Sequence, residues 1–225
     1  MMSLNMIEAM SPLPADCTRL YLCRHGETNY NVEVRFQGSG INSELNARGQ
    51  AQAKALGLAF KDVKLQGVYC SKLLRARVTA QAIQCHYPML YLQEIDGIQE
   101  MHFGQHEGIK LDELQKEFHS VIDRWDEGEY DVAWPGGESA SQLERRGTEA
   151  LIKLCLTHAE GDRIAVVCHS RFNRIILASL IHHELRAMAD IVQNNTCINV
   201  LDFNRTTRTF QAVTINNTDH WKWIV

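Results

Sequence analysis

Residues 163–169 read Arg163-Ile164-Ala165-Val166-Val167-Cys168-His169, an apolar run with no polar face that ends on a histidine. A strand with one wet face alternates polar and apolar side chains. A continuous apolar run therefore predicts a strand covered on both sides, as in a parallel sheet. Arg19–Cys23 has the same character and ends on Arg24-His25, and Gly67–Cys70 and a run near Leu90–Ile95 supply two more strands. Helices are predicted over about Ala47–Phe60, Lys72–His86, Ser139–His158 and Phe172–His182. In the first of these, Ala51, Ala55 and Ala59 lie one turn apart on a face small enough for close packing. In the third, Ser139 and Gln142 have the spacing of a capping box, and Pro135-Gly136-Gly137 stops anything earlier. Cys197–Phe203 and Thr209–Ile215 predict a late hairpin across Asn204-Arg205-Thr206-Thr207.

Strand–helix alternation of this kind predicts an α/β fold, a mostly parallel central sheet flanked by helices on both faces. Residues from about 104 to 134 are charged, rich in helix formers and free of strand signals, and predict a small helical cap insertion. Residues 1–17 read as an N-terminal tail, and 18–225 as a single domain carrying that cap. A chain of 225 residues can bury about 70% of its unfolded surface and needs no disulfide or metal for stability. Its seven cysteines are odd in number and unpatterned, as in reduced thiols of a cytoplasmic protein. Met1–Cys17 has no Lys or Arg, so it lacks the charged start of a secretory or transit signal. No stretch approaches the roughly 18 apolar residues of a membrane span, and a net charge of −4 argues against a general nucleic-acid partner.

In open α/β sheets, ligands sit beyond the carboxyl ends of the strands, where both Arg24-His25 and His169 fall. An imidazole can serve as nucleophile, and a guanidinium beside it can hold an oxyanion by two parallel hydrogen bonds. Gly26 permits a sharp exit from the strand and a close approach of backbone to a ligand. Further polar sites follow in order. They are Asn31 with Arg35-Phe36-Gln37-Gly38, Arg75 within Ser71–Ala80, Glu100 at the head of Glu100-Met101-His102-Phe103-Gly104-Gln105-His106-Glu107-Gly108, and His169-Ser170.

This ordered set resembles the histidine phosphatase superfamily, the phosphoglycerate mutase-like proteins, over about Leu20 to Val200. The resemblance implies a phosphomonoesterase acting on small phosphorylated metabolites. His25 would take the phosphoryl group, and Arg24, Arg75 and His169 would surround its oxygens. Glu100 would give the leaving alcohol its proton. Asn31 and the backbone around Gln37-Gly38 would complete the phosphate and substrate contacts. No metal or cofactor is implied. A small phosphorylated substrate is the partner expected, with neither nucleic acid nor membrane.

These roles have independent physical support. Phosphoryl transfer spreads charge over the equatorial oxygens, so catalysis is mostly positioning and electrostatic stabilisation. His25 must be unprotonated to attack, which neighbouring guanidinium charge favours. A bound dianion favours the protonated carboxyl of Glu100. Phosphoglycerate mutase and sugar bisphosphatase activities, and a non-catalytic binding module, are the alternatives. The segment Phe103–Gly108 and the short stretch between Glu100 and Gly137 favour the phosphatase branch.

Some positions depart from the family pattern. Ser170 follows the second histidine where the family has glycine, and it can contact substrate through its N–H or hydroxyl. Arg171 adds a cation that either faces substrate, as a second phosphate or carboxylate would require, or is a solvated surface residue. His102 and His106 have a zinc-like spacing, but Gly104 between them argues against a helix and a metal site. Cys23 and Cys168, each directly before a candidate site residue, raise the question of redox control.

Overall fold

The computed structural model describes residues 4–224. Its strands are β1 (Cys17–Arg24), β2 (Gly67–Cys70), β3 (Leu92–Glu94), β4 (Arg163–Cys168), β5 (Ile198–Asn204) and β6 (Thr209–Asn217). Its α-helices are α1 (Leu4–Met10), α2 (Asn29–Val32), α3 (Ala47–Phe60), α4 (Leu74–Gln84), α5 (Gln115–Asp126), α6 (Ala140–Thr157) and α7 (Ser170–Leu177). The strands form one sheet in the order β3-β2-β4-β1-β5-β6. The first four in that order run parallel, and β5 and β6 add an antiparallel edge. The chain thus has the α/β architecture expected from strand–helix alternation.

Side-chain alternation divides the core in two. Leu20, Leu22, Ile164, Val166 and Cys168 point to one face and pack with α6 and α7 through Leu143, Leu151, Phe172 and Ile175. Tyr21, Cys23, Ala165 and Val167 point to the other and pack with α3 and α4 through Leu56, Phe60, Ala80 and Ile83. With apolar partners on both sides, β4 has no polar face to present.

The small-residue packing of α3 differs from the expected alanine row. Of that row Ala55 is buried and Ala51 and Ala59 are half-buried, Gly49, Ala53 and Gly57 are buried as well, and a Cβ on Gly57 would lie 2.0 Å from the Ala82 carbonyl oxygen of α4. Glycine, not alanine, sets the α3–α4 distance. Ser139 caps α6 as expected, its side chain accepting from Gln142 N while Gln142 Oε1 accepts from Ser139 N. The apolar segment after His169 is helical from Ser170 and ends in a π-turn, Ala178–His182. Between Gly104 and Trp134 lie two short 3₁₀ turns and α5, without a strand. Trp134 stacks on Phe118 at 5.7 Å and meets Trp125 edge-on at 5.1 Å, so aromatic contacts hold this segment together. Among the described residues no helix is long and apolar enough to cross a membrane.

The sequence reading placed no element in residues 1–17, yet Leu4–Met10 is helical, with Leu4 and Ile7 buried in the core. Glu8 ties this helix down. It accepts from Arg19 Nη1 at 2.9 Å, from Arg163 Nε at 2.9 Å and from the Tyr21 hydroxyl. Arg19 is fully buried and also holds Asp202 by two parallel hydrogen bonds of 2.7 and 2.9 Å. Removing one partner of a buried ion pair strands the other charge, at a cost of about 3–5 kcal/mol. Asp202→Ala should sit near the lower end, since Glu8 remains. Urea unfolding should show a loss of about 3 kcal/mol. A loss under about 1 kcal/mol would mean the pair contributes no more than a surface bridge.

Candidate active site

β1 and β4 are neighbours with Arg24 opposite Cys168, so the residues that follow each strand emerge together. His25 N donates to the Cys168 carbonyl at 3.0 Å, and the rings of His25 and His169 stand 5.2 Å apart, tilted by 56°. The two histidines, 144 positions apart in the chain, meet because parallel pairing aligns the ends of two strands. At the end of β2, Ser71 N donates to the Val167 carbonyl, and α4 starts three residues later with Arg75 in its first turn. Arg75 thereby reaches the same strand ends.

The His25 ring is oriented by its own loop. Nδ1 lies 2.7 Å from the Gly26 carbonyl oxygen, which only accepts, so Nδ1 carries the hydrogen and Nε2 is bare in the neutral ring. The loop is held from behind. Thr196 N and Asn195 Nδ2 both donate to the His25 carbonyl at 3.2 Å, and Gly26 N donates to Thr79 Oγ1 at 3.0 Å. Gly26 is needed for backbone contact, since a Cβ there would lie 2.5 Å from the Gly49 carbonyl oxygen. Burial, then the charges of Arg75 and Arg24, hold the His25 pKa well below its usual value. The same causes, with His25 itself, hold His169 down. Both rings are neutral at physiological pH.

Each arginine is anchored at one end and open at another. Arg24 Nη1 donates to the Gln193 carbonyl at 2.6 Å. Arg75 Nη1 donates to the Ile41 carbonyl at 2.6 Å, and Nη2 to the Gln37 and Gly38 carbonyls at 3.3 Å. Arg24 Nε, Arg75 Nε and both ring nitrogens of His169 are buried without a hydrogen-bond partner. Buried polar groups are nearly always satisfied, and a cluster of N–H donors with unused capacity can hold an acceptor-rich group such as an oxyanion. Glu100 is fixed opposite. Its Oε1 accepts from Met101 N at 3.0 Å and Phe172 N at 2.9 Å, and its Oε2 accepts from Arg171 N at 3.1 Å.

A cavity of about 290 Å³ opens over these groups, lined by Arg24, His25, Asn31, Gln37, Glu100 and Ser170 among others. That volume suits a ligand of metabolite size. Asn31 and Gln37 are positioned through Thr28, whose hydroxyl donates to Gln37 Oε1 at 2.8 Å and accepts from Asn31 N at 3.2 Å. Arg75, His169 and Gly38 are not among the lining residues. Gly38 acts through its carbonyl on Arg75, and a Cβ there would lie 2.0 Å from Glu107 Oε1.

The loop of Gln193, Asn195 and Thr196 was not legible as part of the site. Its only sequence signal is the polar run Gln193-Asn194-Asn195-Thr196 ahead of an apolar strand. Cys23 and Cys168 are fully buried, and burial pushes both thiols well above their usual pKa, so neither has the thiolate character that oxidation requires. Among the described residues no group of three or more His, Cys, Asp or Glu side chains could hold a metal.

The sequence matches the family model of the histidine phosphatase superfamily (branch 1) over residues 20–218, and the chain belongs to that family of phosphatase enzymes. It is similar to phosphoglycerate mutase-like protein 4 of Arabidopsis thaliana, 33% identical over 189 residues, 82% of this chain and 79% of that protein. A metal-independent phosphoserine phosphatase of the same plant is 34% identical over 166 residues, 72% of this chain and 68% of that protein. Among solved structures, a phosphoserine phosphatase variant from Entamoeba histolytica in complex with phosphoserine superimposes with a TM-score of 0.79 at 26% identity. The match covers 90% of this chain and 98% of that one.

Proposed function

We propose that the protein hydrolyses small phosphorylated metabolites through a phosphohistidine. His25 Nε2 attacks phosphorus, a P–N bond forms as the P–O bond to the alcohol breaks, and Glu100 gives that alcohol its proton. Water then attacks the phosphohistidine, its proton passes to Glu100, and inorganic phosphate leaves with Nε2 bare again. Arg24, Arg75 and His169 hold the three equatorial oxygens. Asn31, Gln37 and Ser170 line the approach, and residues from about 104 to 134 form the cap that reads the rest of the substrate.

The observation that carries this reading is the set of four buried nitrogens without hydrogen-bond partners, on Arg24, Arg75 and His169, beside a neutral His25 whose Nε2 is bare.

A radiolabelled phosphate ester mixed with the enzyme and quenched in alkali tests the intermediate. A P–N bond survives base and is lost in acid. Label stable to base, labile to acid and absent from His25→Ala is the expected result. Steady phosphate release from wild type with no protein-bound label would overturn the covalent route.

A further inference from the structure

The cavity carries more positive charge than one phosphate needs. Besides Arg24, its lining includes Arg35, Arg171 and Arg174, against Glu100 as the one carboxylate. Two of these arginines are already engaged. Arg35 Nε donates to Glu33 Oε2 at 2.6 Å and its Nη1 to the Gly108 carbonyl at 2.9 Å. Arg174 Nε donates to the Met188 carbonyl and Nη2 to the Ala189 carbonyl, both at 2.8 Å.

Arg171 differs. Its backbone N–H donates to Glu100 Oε2, which places the residue beside the group that faces the leaving alcohol. Its guanidinium makes no hydrogen bond or ion pair with any described residue and lies over the buried Trp125 ring, 5.9 Å from the centroid. Stacking fixes the plane of a guanidinium and leaves its edge of N–H donors free for a two-pronged grip on a planar or tetrahedral anion. Burial and the charge of Arg174 push the Arg171 pKa down to about 10 against the opposing pull of Glu100. It is still charged at neutral pH, and Glu100, the one carboxylate of the cavity lining, already accepts from three backbone N–H groups.

We propose that Arg171 binds a second anionic group, carboxylate or phosphate, on the leaving-alcohol part of the substrate. The preferred substrate is then a small phosphate ester bearing two separate anions. This inference rests on the phosphatase reading above and deepens it. The cavity volume limits such a molecule to metabolite size, and Phe36 and Phe118 offer an apolar wall for its carbon skeleton.

The test compares kcat/KM for matched pairs with the full-length protein. One pair is 3-phosphoglycerate against glycerol 3-phosphate, for the carboxylate. The other is propane-1,3-diol bisphosphate against its monophosphate, for the phosphate. Wild type should favour the member with the second anion by about tenfold or more in at least one pair. The pair that shows the preference identifies the group. Arg171→Met should erase about tenfold of that preference and Arg171→Lys less, since a lysine keeps the charge but not the fork. A ratio of two substrates on one preparation is insensitive to how much of the variant is folded. No preference in either pair, or one unchanged in Arg171→Met, overturns the inference while the phosphatase reading stands. No phosphate released by wild type even from p-nitrophenyl phosphate would overturn both.

Discussion

His25→Ala should lower kcat/KM for any phosphate ester by on the order of 10⁴-fold or more, the scale seen when a covalent nucleophile is removed. Nδ1 is committed to the Gly26 carbonyl, so the ring is aimed, and burial with two guanidinium neighbours keeps it unprotonated. Alanine removes the attacking atom while the backbone bonds from Thr196 N and to the Cys168 carbonyl remain. The nitrogens of Arg24, Arg75 and His169 proposed to hold the phosphate also remain. Substrate should therefore still bind, and the loss should fall mainly on kcat, with KM little changed. Residual turnover would come from water attacking a phosphate that is bound and electrostatically stabilised. Steady-state kinetics on p-nitrophenyl phosphate, with circular dichroism to show that the fold persists, makes the measurement. Activity within tenfold of wild type would remove His25 as nucleophile.

That prediction could be framed from sequence because β4 was legible. A strand with apolar partners on both faces leaves a run without polar positions, and Ile164 to Cys168 is such a run. Once Arg19–Cys23 is read the same way, strand ends in an open α/β sheet place His25 and His169 on one rim. Their 5.2 Å separation comes from the register that sets Arg24 opposite Cys168, and a single sequence does not display register between distant strands.

What holds the site was less legible, because main-chain carbonyls do much of the holding and carry no sequence signature. Arg24 is anchored by the Gln193 carbonyl and Arg75 by the carbonyls of Gln37, Gly38 and Ile41. No residue type announces such a role. The N-terminal helix was missed for a related reason. It is seven residues long, marginal by propensity, and depends on the tertiary contacts of Leu4, Ile7 and Glu8. In α3 the small-residue packing was legible and the closest approach was not. The Ala51, Ala55, Ala59 row and the Gly49, Ala53, Gly57 row share one period and both contribute buried residues, and only the position of α4 makes Gly57 the point of contact.

Glu100→Gln should separate the proton donor from the rest of the machinery. Glutamine is nearly the same shape, and its carboxamide oxygen can still accept from Met101 N and Phe172 N or from Arg171 N, so the N-terminal turn of α7 should stay in place. The variant cannot pass a proton to the departing oxygen. For a poor leaving group such as an alkyl alcohol, general acid assistance contributes about 10²–10⁴ in rate, and kcat should fall by that much. For p-nitrophenol, which leaves as a stable anion, the fall should be under about tenfold, because little proton transfer is needed at the transition state. A purely positioning role for the carboxylate would depress both substrates alike, through displacement of Arg171 and His169. The readout is thus the dependence of kcat on leaving-group acidity, steeper in Glu100→Gln than in wild type. The free site presents Glu100 as an acceptor of three N–H groups, so the proton it gives must be taken up as the dianionic ester arrives. Equal losses on the two substrate types would leave the leaving alcohol without its donor in this site and move that role to another group.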